Sequence, residues 1–363
     1  MEHIMKKALL SAGLLISAYL LSAQSFTFTN RLGGNSDELE GNDFITQSGF
    51  SFSDQSQLDF EGKYLEGRVR LDAYSPDEDG YLPNFRFRGY GKITPFSYIS
   101  LVAGNSFFSK FAIKGGELFA LSGTPNYGKI IKNGIALYSE IPFDKNGKTK
   151  LKLGTALEND TVFNTSSDDI IWDFGFDFVK KGVFSIGGSA RNILACEFAK
   201  YSVLGGFNID DFRINAGFIY NNTDTDILPK KTRYSISSGF EFKKKKAPFS
   251  FGFDFITGLN SEYMDNGDKE IKTYDNGSAP FVMAGKFDYK ITDSVTAGLR
   301  AIYRDFWGTS GNTELEFYPN ASWTFAEEMM SVSGGIKLGV KNTSGTTATT
   351  FGVPLVFELK LKH

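Results

Sequence analysis

The sequence predicts an all-β chain that closes into a transmembrane, antiparallel, up-and-down β-barrel of roughly 16 to 18 strands, with 18 the count that fits best. Three observations carry that expectation: a short apolar leader, apolar and polar residues alternating through most of the remaining chain, and tight and long connections taking turns.

The leader comes first. Lys6 and Lys7 precede an apolar run from Ala8 to Leu21, and the small residues Ser22-Ala23 stand before Gln24. A basic head, a short apolar core and a small-residue cleavage site are the features of a secretory signal peptide, so residues 1–23 are expected to be removed and residues 24–363 to form the barrel with its external loops. The run is shorter than the ~20 apolar residues that a spanning helix requires. No Cys stands at the junction, so no lipid anchor is expected.

Beyond the leader no apolar run is long enough for a membrane-spanning helix; period two replaces it. Ile170, Trp172, Phe174, Phe176 and Phe178 alternate with Ile171, Asp173, Gly175 and Asp177, and Phe249, Phe251, Phe253 and Phe255 with Ser250, Gly252 and Asp254. Each row puts large apolar groups on one face of a strand. The pattern recurs at Phe85/Phe87, Phe212/Ile214/Ala216/Phe218, Phe281/Met283/Phe287/Tyr289 and Val332/Ile336/Leu338/Val340.

Alternation alone suits a soluble sandwich as well as a membrane barrel; the connections separate them. Tight turns are expected at 92–95, 144–147, 180–182, 210–211, 243–247, 291–293 and 325–327. They take turns with longer polar connections at roughly 105–129, 158–168, 191–199, 221–231, 258–279, 305–313 and 341–351. Short turns on one side and long loops on the other are how outer-membrane barrels are built, and the absence of water in hydrocarbon forces the sheet to close. The pattern gives fifteen strands from Leu82 to Lys362 and three from Ser25 to Tyr74. In the latter segment the parity of Phe50, Phe52, Leu58 and Phe60 breaks before Val69, Leu71 and Ala73. A turn at 53–56 or at 62–65 preserves the count, whereas a bulge lowers it to about 16.

Composition removes other classes. Among 363 residues there are one Cys and two His, and the formal net charge is −3. Cys196 alone closes no disulfide, and His3 and His363 lie at the extremes, so histidine-based catalysis and histidine or cysteine metal sites are not expected. We therefore expect no enzyme, no cofactor, no metal and no nucleic-acid partner. The stretch Gly123 to Lys129 imitates the start of a phosphate-binding loop, but Ile130 replaces the Ser or Thr that would hold magnesium.

If the apolar parity faces lipid, the opposite parity lines the lumen. Arg68 and Arg70 on one strand and Arg86 and Arg88 on its neighbour would form a basic ladder. Arg213, Arg300 and Arg304 share that parity, and Asp173, Asp177, Asp254 and Asp288 offer the opposing sign. Separated rows would set a transverse field and ion selectivity; mutual pairing would merely keep the interior wet. The segment 105–129 is unusually apolar for a loop, with Phe107, Phe108, Phe111, Ile113, Phe119 and Leu121. It is expected to fold into the barrel mouth as a constriction that buries its aromatics and presents Lys110, Lys114 and Glu117; an external cap or a subunit contact is the alternative.

With leader, strand pattern, turn rhythm and a final alternating strand from Val353 to His363 together, the chain resembles the outer-membrane β-barrel porins of double-membraned bacteria. Its Phe, Gly and Lys usage is similar to that of spirochaete outer-membrane proteins. The resemblance implies an integral outer-membrane location and passive diffusion of small hydrophilic solutes. It also implies lipid as the surrounding partner and assembly machinery that reads the last strand, although Leu361-Lys362-His363 departs from the usual terminal aromatic. Phe-rich faces would meet lipid or the neighbours of a homotrimer. Two other functions fit: a surface adhesin or structural barrel whose lumen is plugged by 105–129, and a transporter of apolar ligands.

Overall fold

A computed structural model describes residues 25–36, 39–40, 50–74, 84–121, 128–158, 171–194, 199–221, 234–244, 247–258, 281–306, 312–343 and 345–362. The expected leader and the acidic loop at 258–279 lie outside the described residues, apart from Gly258 itself.

The described chain is one closed antiparallel sheet. Strand β1 (Ser25–Ser36, resumed at Leu39–Glu40) pairs with β2 (Phe50–Glu61), followed by β3 (Leu65–Tyr74), β4 (Asn84–Phe96), β5 (Ile99–Gly104) and β6 (Gly134–Pro142). Then come β7 (Thr149–Leu157), β8 (Trp172–Lys180), β9 (Phe184–Arg191), β10 (Lys200–Ile209), β11 (Phe212–Asn221) and β12 (Tyr234–Lys243). The last six are β13 (Phe249–Gly258), β14 (Phe281–Lys290), β15 (Val295–Phe306), β16 (Asn312–Phe325), β17 (Met330–Gly335 and Lys337–Thr343) and β18 (Thr346–Gly352 and Pro354–Lys362). Pairing of β18 with β1, from Thr27↔Lys362 to Asn35↔Pro354, closes the ring at 18 strands. Closure satisfies the backbone without leaving an edge.

Parity follows the sequence. Phe85, Phe87, Leu137, Val203 and Leu355 are exposed on the outer wall, while their in-strand neighbours turn inward. The start of the first described strand and the end of the last meet at the short-turn end, where Ser25 pairs with Glu61 and Thr27 with Lys362. Local chemistry fixes the turns. In the β6–β7 turn, Asp144 accepts backbone N–H bonds from Asn146 (3.1 Å) and Lys148 (2.8 Å), and Gly147 takes φ +61°. Such a turn needs an Asx acceptor and a residue free to adopt positive φ.

Of the alternatives before Val69, the turn at 62–65 is the one formed: the Gly62 N–H reaches the Leu65 carbonyl (2.7 Å), and the count stays at 18. Two expectations are corrected. The segment 92–95 continues β4: the register shifts between Ile93 and Phe96, and the chain turns at Ser97–Tyr98. A bulge accommodates Pro95, which has no N–H for the ladder. Residues 341–351 form a tight hairpin instead of a long loop, with Thr343 opposite Thr346 and Gly345 at φ +84°. Its threonines are polar yet β-branched, and they extend the strands. The break in β17 at Ile336 has a similar origin. Its N–H bonds to the Pro319 carbonyl (3.0 Å), and Pro319 has no N–H to return.

Candidate functional site

The β5–β6 connection folds into the barrel. Phe107, Phe111, Ile113 and Leu121 are all but inaccessible, and Phe111 packs edge-on against Tyr90 (5.4 Å between ring centres) and Tyr138 (5.0 Å) of the wall. Two short 3-10 turns, Phe108–Phe111 and Lys114–Gly116, shape the segment. Lys110 and Lys114 remain accessible, whereas Glu117 and Phe119 are half-buried, with the Arg213 guanidinium 5.2 Å from the Phe119 ring centre.

Polar wall groups pin the loop. Asp254 on β13 accepts backbone N–H bonds from Phe119 (2.8 Å), Ala120 (2.6 Å) and Leu121 (2.9 Å). Asp177 on β8 accepts from Lys114 N (3.1 Å) and from the Ser185 hydroxyl (2.6 Å), and Ser185 accepts from Gly115 N (2.9 Å). On β11, Arg213 pairs with Glu117 and Glu241, while the Asn215 amide donates to the Glu117 carbonyl. Arg191 on β9 bridges Asp173 (2.8 Å) and the Lys129 carbonyl.

Lumen-facing glycines make room. A Cβ at Gly175 would stand 2.3 Å from the Ile130 carbonyl oxygen, one at Gly187 2.5 Å from the Ile113 side chain, and one at Gly252 3.0 Å from Phe119. The loop's own Gly115 lies on the β10 backbone, its Cβ position 2.7 Å from Gly205. At Gly175 and Gly115 backbone lies against backbone, and at Gly187 and Gly252 a loop side chain takes the space a Cβ would need.

This arrangement corrects the expected charge rows. Asp173, Asp177 and Asp254 point inward but are completely buried beneath the docked loop, so they hold it instead of lining a passage. Arg304 is also buried, 3.7 Å from Glu314 and 3.6 Å from Glu316. Asp288 pairs with Lys286 (2.9 Å), and Arg300 stands between Lys286 and Tyr318 in register. The basic ladder is braced by acids that sequence reasoning passed over. Asp72, fully buried, accepts from Arg70 (2.5 Å) and Arg88 (2.8 Å), Asp59 pairs with Arg68, and Arg86 lies opposite Asp72 but exposed. Asp72 shares parity with Arg68 and Arg70, a signal that could have found it.

Away from the docked loop a cavity of about 490 Å³ opens between β1, β2, β3 and β18. Five cations, Arg31, Arg68, Arg70, Lys360 and Lys362, line it against two acids, Asp59 and Glu358. Outside the spanning strands, two loop carboxyls are shifted in opposite directions. Burial opposes ionisation of Glu117, but hydrogen bonds from Lys114 and Arg213 outweigh it and hold the group below the usual range. Burial, then the hydrogen bond and charge of Asp173, push Glu158 up to about 8.

No protein-family model matches the sequence, and none of the curated proteins matches it. Solved structures do. Acinetobacter baumannii OccAB3 superposes with a TM-score of 0.62 at 10% identity, over 94% of this chain and 100% of that one. Pseudomonas aeruginosa OpdQ gives 0.60 at 12% identity (95% and 99%), and Pseudomonas aeruginosa OpdK with vanillate gives 0.57 at 11% (94% and 99%). At such identities the likeness establishes the architecture: this chain has the closed 18-strand barrel fold of outer-membrane porin structures.

Proposed function

We propose that the protein is an outer-membrane channel through which small hydrophilic solutes diffuse passively, with anions favoured. The short-turn end faces the periplasm and the long loops face outward. One observation carries the reading: the inserted loop is fastened to one arc of the wall, and a cavity with five cations against two acids stays open beside β1, β2, β3 and β18. A loop that filled the lumen would favour the adhesin reading; the open basic cavity favours a channel. An apolar-ligand transporter is disfavoured for the same reason, because the loop's aromatics are spent on packing against Tyr90 and Tyr138. The matched OpdK structure contains vanillate, an aromatic carboxylate, which agrees in sign with the cavity here. We propose small carboxylates as the solute class. The leader at 1–23 would direct export, and the Phe, Gly and Lys usage keeps spirochaete envelopes as the compositional comparison.

Planar-bilayer recording of refolded residues 24–363 under a salt gradient tests the proposal. Discrete steps with an anion-selective reversal potential are expected, moving toward cation preference in Arg68→Gln/Arg70→Gln. A folded, heat-modifiable barrel without conductance would refute the channel.

A further inference from the structure

The outer wall carries one feature that a lipid-facing surface does not explain. In β1 and β2 the outward parity is Phe26, Phe28, Asn30, Leu32 and Asp54, Ser56, Leu58, Phe60; the inward parity of the same strands lines the basic cavity. Asn30, Asp54 and Ser56 therefore interrupt an apolar face, and they are joined: the Asn30 amide donates to Asp54 Oδ1 (2.6 Å) and to Ser56 Oγ (3.0 Å). Their cross-strand neighbours on this face are Leu359, Leu71 and Ala73.

Depth makes the patch anomalous. A strand tilted by about 40° gains about 2.5 Å of height per residue. Asn30 follows Ser25 at the short-turn end by five positions, and Asp54 precedes Glu61 by seven. The patch thus stands roughly 13 to 18 Å above that end, within an apolar band about 25 Å tall. Among the described strand residues with outward parity, Asp54 carries the one charge away from a strand end; Lys180 closes β8 and Asp305 stands one residue from the end of β15. Hydrocarbon offers such groups neither donors nor acceptors, and polar side chains at this depth gain by meeting another protein surface.

We propose that this face is a contact between two copies of the chain within the bilayer, related by a twofold axis. The chemistry selects the occupant. The set combines an amide that both donates and accepts, a hydroxyl that does the same, and a carboxylate that accepts, so it is complementary to itself. In an isologous contact the Ser56 hydroxyl, an acceptor within its own wall, donates across to Asp54 of the other copy, while both Asn30 amide hydrogens stay within their own wall. The contact leaves the passage alone, because the side chains lining it have the opposite parity, and it holds whether or not the barrel conducts.

Two measurements on the protein purified from membranes and reconstituted in lipid nanodiscs decide it. Mass determination is expected to give a dimer for the native protein. Asn30→Leu/Asp54→Leu/Ser56→Leu, which suits the lipid-facing wall and retains the heat-modifiable barrel, should dissociate at least about tenfold more readily. In a Cys196→Ser background, Ser56→Cys should oxidise to a linked dimer while Leu137→Cys, on the β6 outer wall, should not. A monomeric native protein, a trimer, an unchanged dimer in the triple variant, or no linkage through Ser56→Cys would each overturn the proposal.

Discussion

Replacing Asp254 with Ala isolates what holds the inserted loop. Its carboxylate is completely buried and accepts from three successive backbone N–H groups, those of Phe119, Ala120 and Leu121, at 2.6 to 2.9 Å. A buried donor left unsatisfied costs about 1–3 kcal/mol, so three leave the docked state worse by at least about 3 kcal/mol even if water reaches part of the gap. Each 1.4 kcal/mol is a tenfold change, so the ratio of docked to undocked loop should fall by about two orders of magnitude. The contacts of Phe107, Phe111 and Ile113 remain, so the variant should flicker between docked and released states and keep its wall. Single-channel recording should then show a larger mean conductance and greater open-state noise, with an unchanged heat-modifiable barrel. Conductance and noise equal to the native protein, together with native protection of the loop from protease, would show that Asp254 does not hold the loop.

Other outcomes follow from the same contacts. Gly175→Val sets a side chain against the Ile130 carbonyl, where 2.3 Å is available, and should raise conductance as Asp254→Ala does, whereas Gly285→Val, with open space around it, should not. Phe251→Arg/Phe253→Arg replaces outer-wall rings that stack on Phe242 (5.3 Å) and Phe240 (5.7 Å). At about 2–4 kcal/mol per cation in mid-bilayer it should cut the yield of folded barrel in electrophoretic mobility assays. Glu158 binds its proton more tightly in the folded protein, so the structure around it is favoured at low pH and loosens as pH rises from 4.5 toward about 8. Amide exchange at the outer end of β7 should speed up across that window, and Glu158→Gln should remove the dependence.

The barrel was legible because its physics is local. Alternation in Trp172 to Phe178 or Phe249 to Phe255 states which face meets lipid, and the tight turns carry their own chemistry, as Asp144 and Gly147 illustrate. Misreadings occurred where one residue supports two conformations. Pro95 suits a turn as well as a bulge, and the threonines from Thr346 to Thr350 look like loop by polarity and like strand by branching. The inserted loop was legible from its phenylalanines, but its anchors were not. An inward aspartate reads the same in sequence whether it faces water or three backbone N–H groups, and only the fold distinguishes Asp254 from a pore-lining charge.

Glycine and parity hold what could have separated the two. Gly175, Gly187 and Gly252 stand at lumenal positions beside Asp173, Asp177, Ser185 and Asp254, and an inner wall facing only water has no need of such hollows. A row of inward glycines across neighbouring strands therefore announces that backbone will lie there, and an aspartate beside it becomes a cap for that backbone. The outer face obeys the converse rule. The polar stretch between Phe52 and Leu58 reads as one of two candidate turns, yet the strand runs unbroken through it, and Asp54 and Ser56 interrupt its apolar row while facing outward. Where the strand is certain and the pattern still fails, the failure reports what the face touches.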